Sequence, residues 1–137
     1  MNPKELEIPE RELDVLSALW RLGEGSVREV REELESRDRS LAHNTVLTLL
    51  GRLETRGHVA CDRSASANVY RPLVSREAVT KSRLGALVEQ LADGKASSLI
   101  LQLVESHELG PDDIGELRAL LNRLESERSR GAKEGER

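Results

Sequence analysis

The chain has 137 residues, 37% of them hydrophobic and 34% charged, with a net charge of −4. That length suits one ordinary domain, or a small domain with a shorter appendage, and buries enough apolar surface to fold without covalent staples. A single cysteine, Cys61, excludes an internal disulfide or a multi-thiolate metal site, and no stretch approaches a membrane span.

The N-terminal MNPKELEIPE lacks the basic-then-apolar pattern of a signal peptide, so the expectation is a cytoplasmic protein with no membrane insertion. Trp20 and Tyr70 are the only aromatics and Phe is absent, which leaves Leu and Val to build the core and favours helices. Behind Pro9-Glu10, Leu13, Leu16 and Trp20 recur at helical spacing with Leu19 beside them, and Gly23 and Gly25 end this first helix. Ser26 stands three residues before Glu29 as a capping box, and Val27, Val30 and Leu34 form the stripe of a short second helix. Ser36 to Ser40 is a polar connection.

Residues 42–56, AHNTVLTLLGRLETR, form a third helix closed by Gly57 in a left-handed cap. Advancing about 100° per residue places Val46, Leu49, Leu50 and Leu53 on one face and Thr45, Thr48 and Arg52 on another. Two short strands follow: Val59 and Cys61 alternate with polar neighbours, as do Val69 and Leu73, around a loop at Ala65 to Asn68, with Pro72 ending the second strand. Three helices and a hairpin in this order make a winged helix-turn-helix.

Beyond it the sequence is helical. Leu84, Leu87, Val88 and Leu91 lie behind a Ser75 cap, and Asp93-Gly94 breaks the run. The segment ASSLILQLVESHEL carries Leu99, Ile100, Leu101, Leu103 and Val104 on more than one side. Pro111 then opens a last helix with Asp112 and Asp113 at its positive end and a stripe of Ile114, Leu117, Leu121 and Leu124. So much apolar surface without a sheet to cover it implies a second copy, with Leu84, Leu87, Leu91, Leu99, Ile100, Leu103, Val104, Leu117 and Leu121 in the dimer contact. The polar residues from Ser126 onward are expected to fray. The fold class is therefore mainly α with a small β-hairpin. Residues 1–74 are read as a winged-helix DNA-binding domain, 75–128 as a helical dimerisation domain and 129–137 as a disordered tail.

Charge separates along the chain. Residues 37–73 hold six Lys/Arg against three Asp/Glu, whereas residues 1–36 hold five against ten. A locally basic stretch in an acidic protein suits a phosphate-facing element, and chance fluctuation explains it equally. The two-faced helix gives the charge a place to act. In a major groove, His43, Asn44, Thr45 and Thr48 in its first turns reach base edges or phosphates, Asn pairs with adenine in a bidentate manner, and Arg52 holds backbone or guanine. The bland alternatives are an Asn44 or Ser40 that caps the helix and threonines that are simply solvated. The hairpin offers Arg63, Ser64, Asn68, Tyr70 and Arg71 to phosphates, with Tyr70 equally readable as a half-buried packing residue. Ser26 and Arg28 open the second helix where a phosphate can sit, although Ser26 also serves as its cap.

Catalysis finds no support. His43, His58 and His107 fall in separate elements without ligand or triad spacing, none pairs recognisably with Cys61, and no phosphate loop or dinucleotide fingerprint occurs. The expectation is a non-enzyme without metal or cofactor, with Cys61 a small core residue.

Taken together, ELDVLSALW, SVREVREEL, NTVLTLLGRLETRG, VYRPLVSREA and DGKASSLILQLVESHELGPDDIGELRALLNRLE resemble the penicillinase-repressor family of winged-helix regulators, the BlaI/MecI type. The blocks occur in the family's order nearly end to end, including a C-terminal block that generic winged helices lack. The resemblance implies a homodimer whose N-terminal parts bind inverted-repeat, double-stranded operator DNA and whose C-terminal helices pair. It also implies a switch: in the better-known members a membrane-bound sensor metalloprotease causes cleavage at an Asn-Phe step in the helix matching residues 96–107. Here Gln102-Leu103 stands at that step. The cysteine-rich tail of copper-responsive relatives is absent. The rival readings are a winged-helix protein-interaction module without sequence-specific DNA binding, a small enzyme, and a DNA-binding protein whose signal is a small molecule.

Overall fold

A computed structural model describes residues 6–135. The first five residues of the expected winged-helix domain and the last two of the expected tail lie outside that range. The elements run α1 (Glu10–Leu22), α2 (Val27–Glu35), α3 (His43–Thr55), β1 (Val59–Asp62), β2 (Val69–Pro72), α4 (Arg76–Ala92), α5 (Ala96–Ser106) and α6 (Pro111–Gly135). Among the described residues helices dominate, and the one sheet is a two-stranded antiparallel hairpin.

Local chemistry accounts for several helix boundaries. Glu10 and Glu12 place acidic side chains in the first turn of α1, where the helix dipole is positive. Ser26 Oγ accepts from the Glu29 amide at 3.2 Å while the Ser26 amide donates to Glu29 Oε1 at 3.0 Å, so α2 opens with the full capping box. After α2 the Arg39 amide reaches the Leu34 carbonyl at 2.9 Å and the Asp38 amide reaches Glu35 at 3.2 Å. This Schellman closure forces Asp38, a non-glycine residue, to φ 56°. The same pattern ends α3, where Gly57 sits at φ 81° and the His58 amide reaches Leu53 at 2.9 Å, as the expected glycine cap requires.

These helices enclose one core. Leu16 and Leu19 of α1, Val30 and Leu34 of α2, and Val46, Leu50 and Leu53 of α3 are at most 1% exposed, and Val59 closes the cluster from β1. Burying each such side chain contributes about 1.5–3 kcal/mol before chain entropy is counted. Leu6 and Ile8, upstream of α1, join the same core, as do Val74 and Val79 at the start of α4. Trp20 Nε1 donates to the Val74 carbonyl at 2.9 Å, and the Arg76 guanidinium lies 5.7 Å from the Trp20 ring centre.

The hairpin register pairs Val59 with Pro72, Ala60 with Arg71, Cys61 with Tyr70 and Asp62 with Val69. Residues directly opposite share a face, so Tyr70 joins Val59 and Cys61 on the inner side while Val69 goes to the outer side. This corrects the expected alternation of Val69 and Leu73: Tyr70 is 3% exposed, and Leu73, beyond the strand, is 49% exposed. The Gly25 and Tyr70 backbones also exchange hydrogen bonds of 2.9 and 2.8 Å, so the segment between α1 and α2 adds a one-residue bridge to the sheet. That bridge fixes which side of β2 faces the helices.

The chain divides into two compact units between Leu87 and Val88. In the second unit α5 and α6 carry their apolar residues uncovered: Ile100, Leu101, Leu103, Leu121 and Leu124 are all exposed. Gly110 starts α6 with its amide bonded to Asp113 Oδ2 at 3.2 Å, ahead of Pro111. α6 then continues through Gly135. Good helix formers and an Arg123–Glu127 pair one turn apart extend it without a core to pack on.

Candidate nucleic-acid interface

α3 holds the candidate surface because its two faces meet different surroundings. Val46, Leu49, Leu50 and Leu53 are buried, while His43, Asn44, Thr48 and Arg52 are exposed and Thr45 is half-buried. The polar face is thus outward, on a helix that four buried side chains hold in place. Neither Asn44 nor Ser40 caps the helix: the N-cap is Ala42, which offers no side-chain acceptor, and the first turn carries no acidic residue. The leading amides of α3 therefore keep their donor capacity at the positive end of the dipole. Thr48 Oγ1 donates to the Asn44 carbonyl at 2.9 Å, which leaves its methyl and its oxygen lone pairs to face outward.

The arginines of the basic stretch do not all share that availability. Arg37 pairs with Glu33 at 3.2 Å, Arg39 with Asp14 at 3.3 Å, Arg56 with Glu12 at 3.0 Å and Arg63 with Glu54 at 2.7 Å. Among the described residues, Arg52 on α3 and Arg71 on β2 are the two of that stretch without an ion pair. Local charge in the sequence therefore overstates the cation available to a phosphate, because α1 and α2 supply carboxylates that it does not count.

Each remaining candidate has a defined place. Arg63 forms two parallel bonds to Glu54, from Nη1 at 2.8 Å and Nη2 at 2.7 Å. That hydrogen-bonded pairing holds the Glu54 carboxyl below its usual range and raises the guanidinium's already high pKa. Glu54 is the functional neighbour that sequence spacing did not reveal, since nine residues and a turn separate the pair. Tyr70 belongs to the core, so its reading as a wing contact gives way to its reading as a packing residue. Burial is the main reason its hydroxyl pKa is pushed up, and the neighbouring Cys61 thiol adds to it. Cys61 is half-buried beside it. Ser26 is spent on the capping box, and Arg28 is exposed with Glu32 one turn away at 3.9 Å. At the hairpin loop, Asp62 Oδ1 accepts from the Ser64 amide at 2.9 Å and the Ser64 hydroxyl at 2.6 Å, and these bonds hold the Asp62 carboxyl below its usual range. Asn68 and Arg71 are exposed beyond it.

Among the described residues no three His, Cys, Asp or Glu side chains gather as a metal site, and no helix is long and apolar enough to cross a membrane. Residues 8–123 match the penicillinase repressor family. The chain is 34% identical to the transcriptional regulator BlaI of Mycobacterium tuberculosis over 114 residues, covering 82% of this chain and 80% of that protein. It is 28% identical to the methicillin resistance regulatory protein MecI of Mammaliicoccus sciuri over 123 residues, covering 90% and 99%. A MarR family protein from Bacillus stearothermophilus superposes with a TM-score of 0.50 at 21% identity, covering 93% of this chain and 82% of that one, which is a likeness of fold. With the exposed face of α3 and the hairpin in place, these matches make the chain a member of the penicillinase repressor family of winged-helix transcriptional regulators.

Proposed function

We propose that the chain acts in the cytoplasm as a homodimeric repressor that binds an inverted-repeat operator, with residues 1–74 reading the duplex and residues 75–128 supplying the pairing surface. The carrying observation is the outward polar face of α3. Asn44 and Arg52 stand there without a side-chain partner among the described residues, above a helix N-terminus that no side chain caps. Asn44 suits a bidentate contact to adenine, the Thr45 and Thr48 methyls suit thymine, and His43 and Arg52 suit base or phosphate contacts. Arg28 at the start of α2 and Asn68 and Arg71 on the hairpin complete the phosphate contacts on either side.

Leu84, Leu87 and Leu91 along α4, Leu99, Ile100, Leu103 and Val104 along α5, and Leu117 and Leu121 along α6 support pairing with a second copy. Most of these side chains are exposed by a third or more in the single chain. Pairing fixes two copies of α3 about 34–36 Å apart, one turn of duplex, or a small multiple of it. Each chain alone then contributes half the contacts, and loss of the pairing surface releases the operator. A cut at Gln102-Leu103 by a membrane sensor metalloprotease acts in this way, since it separates Leu99 and Ile100 from Leu103 and Val104. The test is selection of bound duplexes from a random pool with the mass of the complex measured. An inverted repeat carrying two chains is the expected result, and sequence-indifferent or single-chain binding defeats the proposal.

A further inference from the structure

We infer that Glu54 and Arg63 form a latch that sets the hairpin against α3, so that Arg63 is a positioning residue of the wing and not a phosphate ligand. The inference rests on the reading of α3 and the hairpin as a duplex-binding surface.

Glu54 lies in the last turn of α3 and Arg63 directly follows β1, so the pair bridges the helix and the base of the loop. Each terminal guanidinium nitrogen donates, at 2.8 and 2.7 Å, to one of the two oxygens of a single carboxylate. A bidentate pair of this kind defines orientation as well as distance. The next residue is held too, because Asp62 Oδ1 takes both the amide and the hydroxyl of Ser64. The loop through Ser66 therefore leaves the strand from a fixed point, and the exposed Asn68 at its far end inherits that geometry, next to Arg71 on β2. Electrostatics favours keeping the pair closed on a polyanion. Were Arg63 to leave for a phosphate, the Glu54 carboxylate would remain unpaired beside the phosphate backbone and repel it. Closed, the pair adds no net charge, and Arg71, without an ion pair among the described residues, is left as the cation of the hairpin.

The test uses two double variants that keep net charge constant. With the selected operator, Glu54→Gln/Arg63→Gln is expected to weaken binding about fivefold, the scale of one well-formed exposed pair, without changing the slope of log affinity against log salt. The exchanged pair, Glu54→Arg/Arg63→Glu, is expected to restore most of that loss. A slope reduced by about 0.9 per chain, with no rescue by the exchange, identifies Arg63 as a phosphate ligand and overturns the latch. Unchanged affinity in the Gln/Gln variant overturns it as well. Amide exchange of the DNA-free protein separates this failure from that of the parent reading. If the wild-type chain binds no duplex, faster exchange at residues 62–69 in the Gln/Gln variant still supports the latch, and unaltered exchange there refutes it.

Discussion

The ion pair between Glu12 and Arg56 should be far more sensitive to loss of the arginine than to loss of the glutamate. The Glu12 side chain is 2% exposed and the Arg56 side chain 46%, with contacts of 3.0 and 3.2 Å joining α1 to the C-cap of α3. Replacing Arg56 by Met strands a carboxylate inside the protein. Breaking a buried pair in this way costs about 3–5 kcal/mol, and the wetness of the arginine end reduces that to about 2–3 kcal/mol. Replacing Glu12 by Met leaves a guanidinium that can turn to water, so its cost should stay near or below about 1 kcal/mol. The double Met variant removes both charges and fills the space with apolar atoms, which places it close to the glutamate variant and well above the arginine one. Urea unfolding at a fixed protein concentration, with the slopes compared to confirm a common denatured state, gives all three values and the coupling between them. Equal losses in the two single variants would refute the claim that burial asymmetry controls the pair.

Asn44→Ala should lower operator affinity about tenfold, as loss of one good base contact does, and leave stability within about 0.5 kcal/mol, measured by fluorescence anisotropy and thermal unfolding. Asp38→Gly should raise stability by up to about 1 kcal/mol in urea unfolding, because glycine adopts the left-handed φ of 56° without a Cβ penalty. Leu121→Glu, at a side chain 60% exposed in the single chain, should shift the protein toward half the dimer mass in analytical ultracentrifugation while the helical circular dichroism per residue is kept.

Periodicity made the helices legible because a helix packed on one side repeats its apolar residues every three to four positions, and Val46, Leu49, Leu50 and Leu53 obey that rule. Caps fixed the boundaries for a related reason: Ser26, Gly57 and Ser75 each answer a local backbone demand visible within a few residues. Long-range chemistry was hidden. Nothing near Tyr70 announces that Gly25 will pair with its backbone and turn the ring inward. The partners of Arg39 and Arg56 lie 25 and 44 residues away, so a local charge count was bound to treat these arginines as available.

Those hidden partners give α3 a structural asymmetry. Its C-terminal end is closed by the Gly57 Schellman turn, tied to α1 through Arg56 and Glu12, and tied to the hairpin through Glu54 and Arg63. Its N-terminal end has Ala42 at the cap position, no acidic residue in the first turn, and exposed His43 and Asn44. A sequence optimised only for stability would place Ser, Thr, Asp or Asn at that cap, a change worth about 1 kcal/mol. Sites where local rules are broken without a compensating contact inside the chain tend to be sites that meet something outside it. On the proposed reading, anchoring at one end and bareness at the other would leave the donors of α3 open to an anionic partner while its distant end holds the direction. An acidic cap such as Ala42→Asp should therefore stabilise the free protein and weaken operator binding together. A variant that gained stability with undiminished affinity would show that the bare end is incidental.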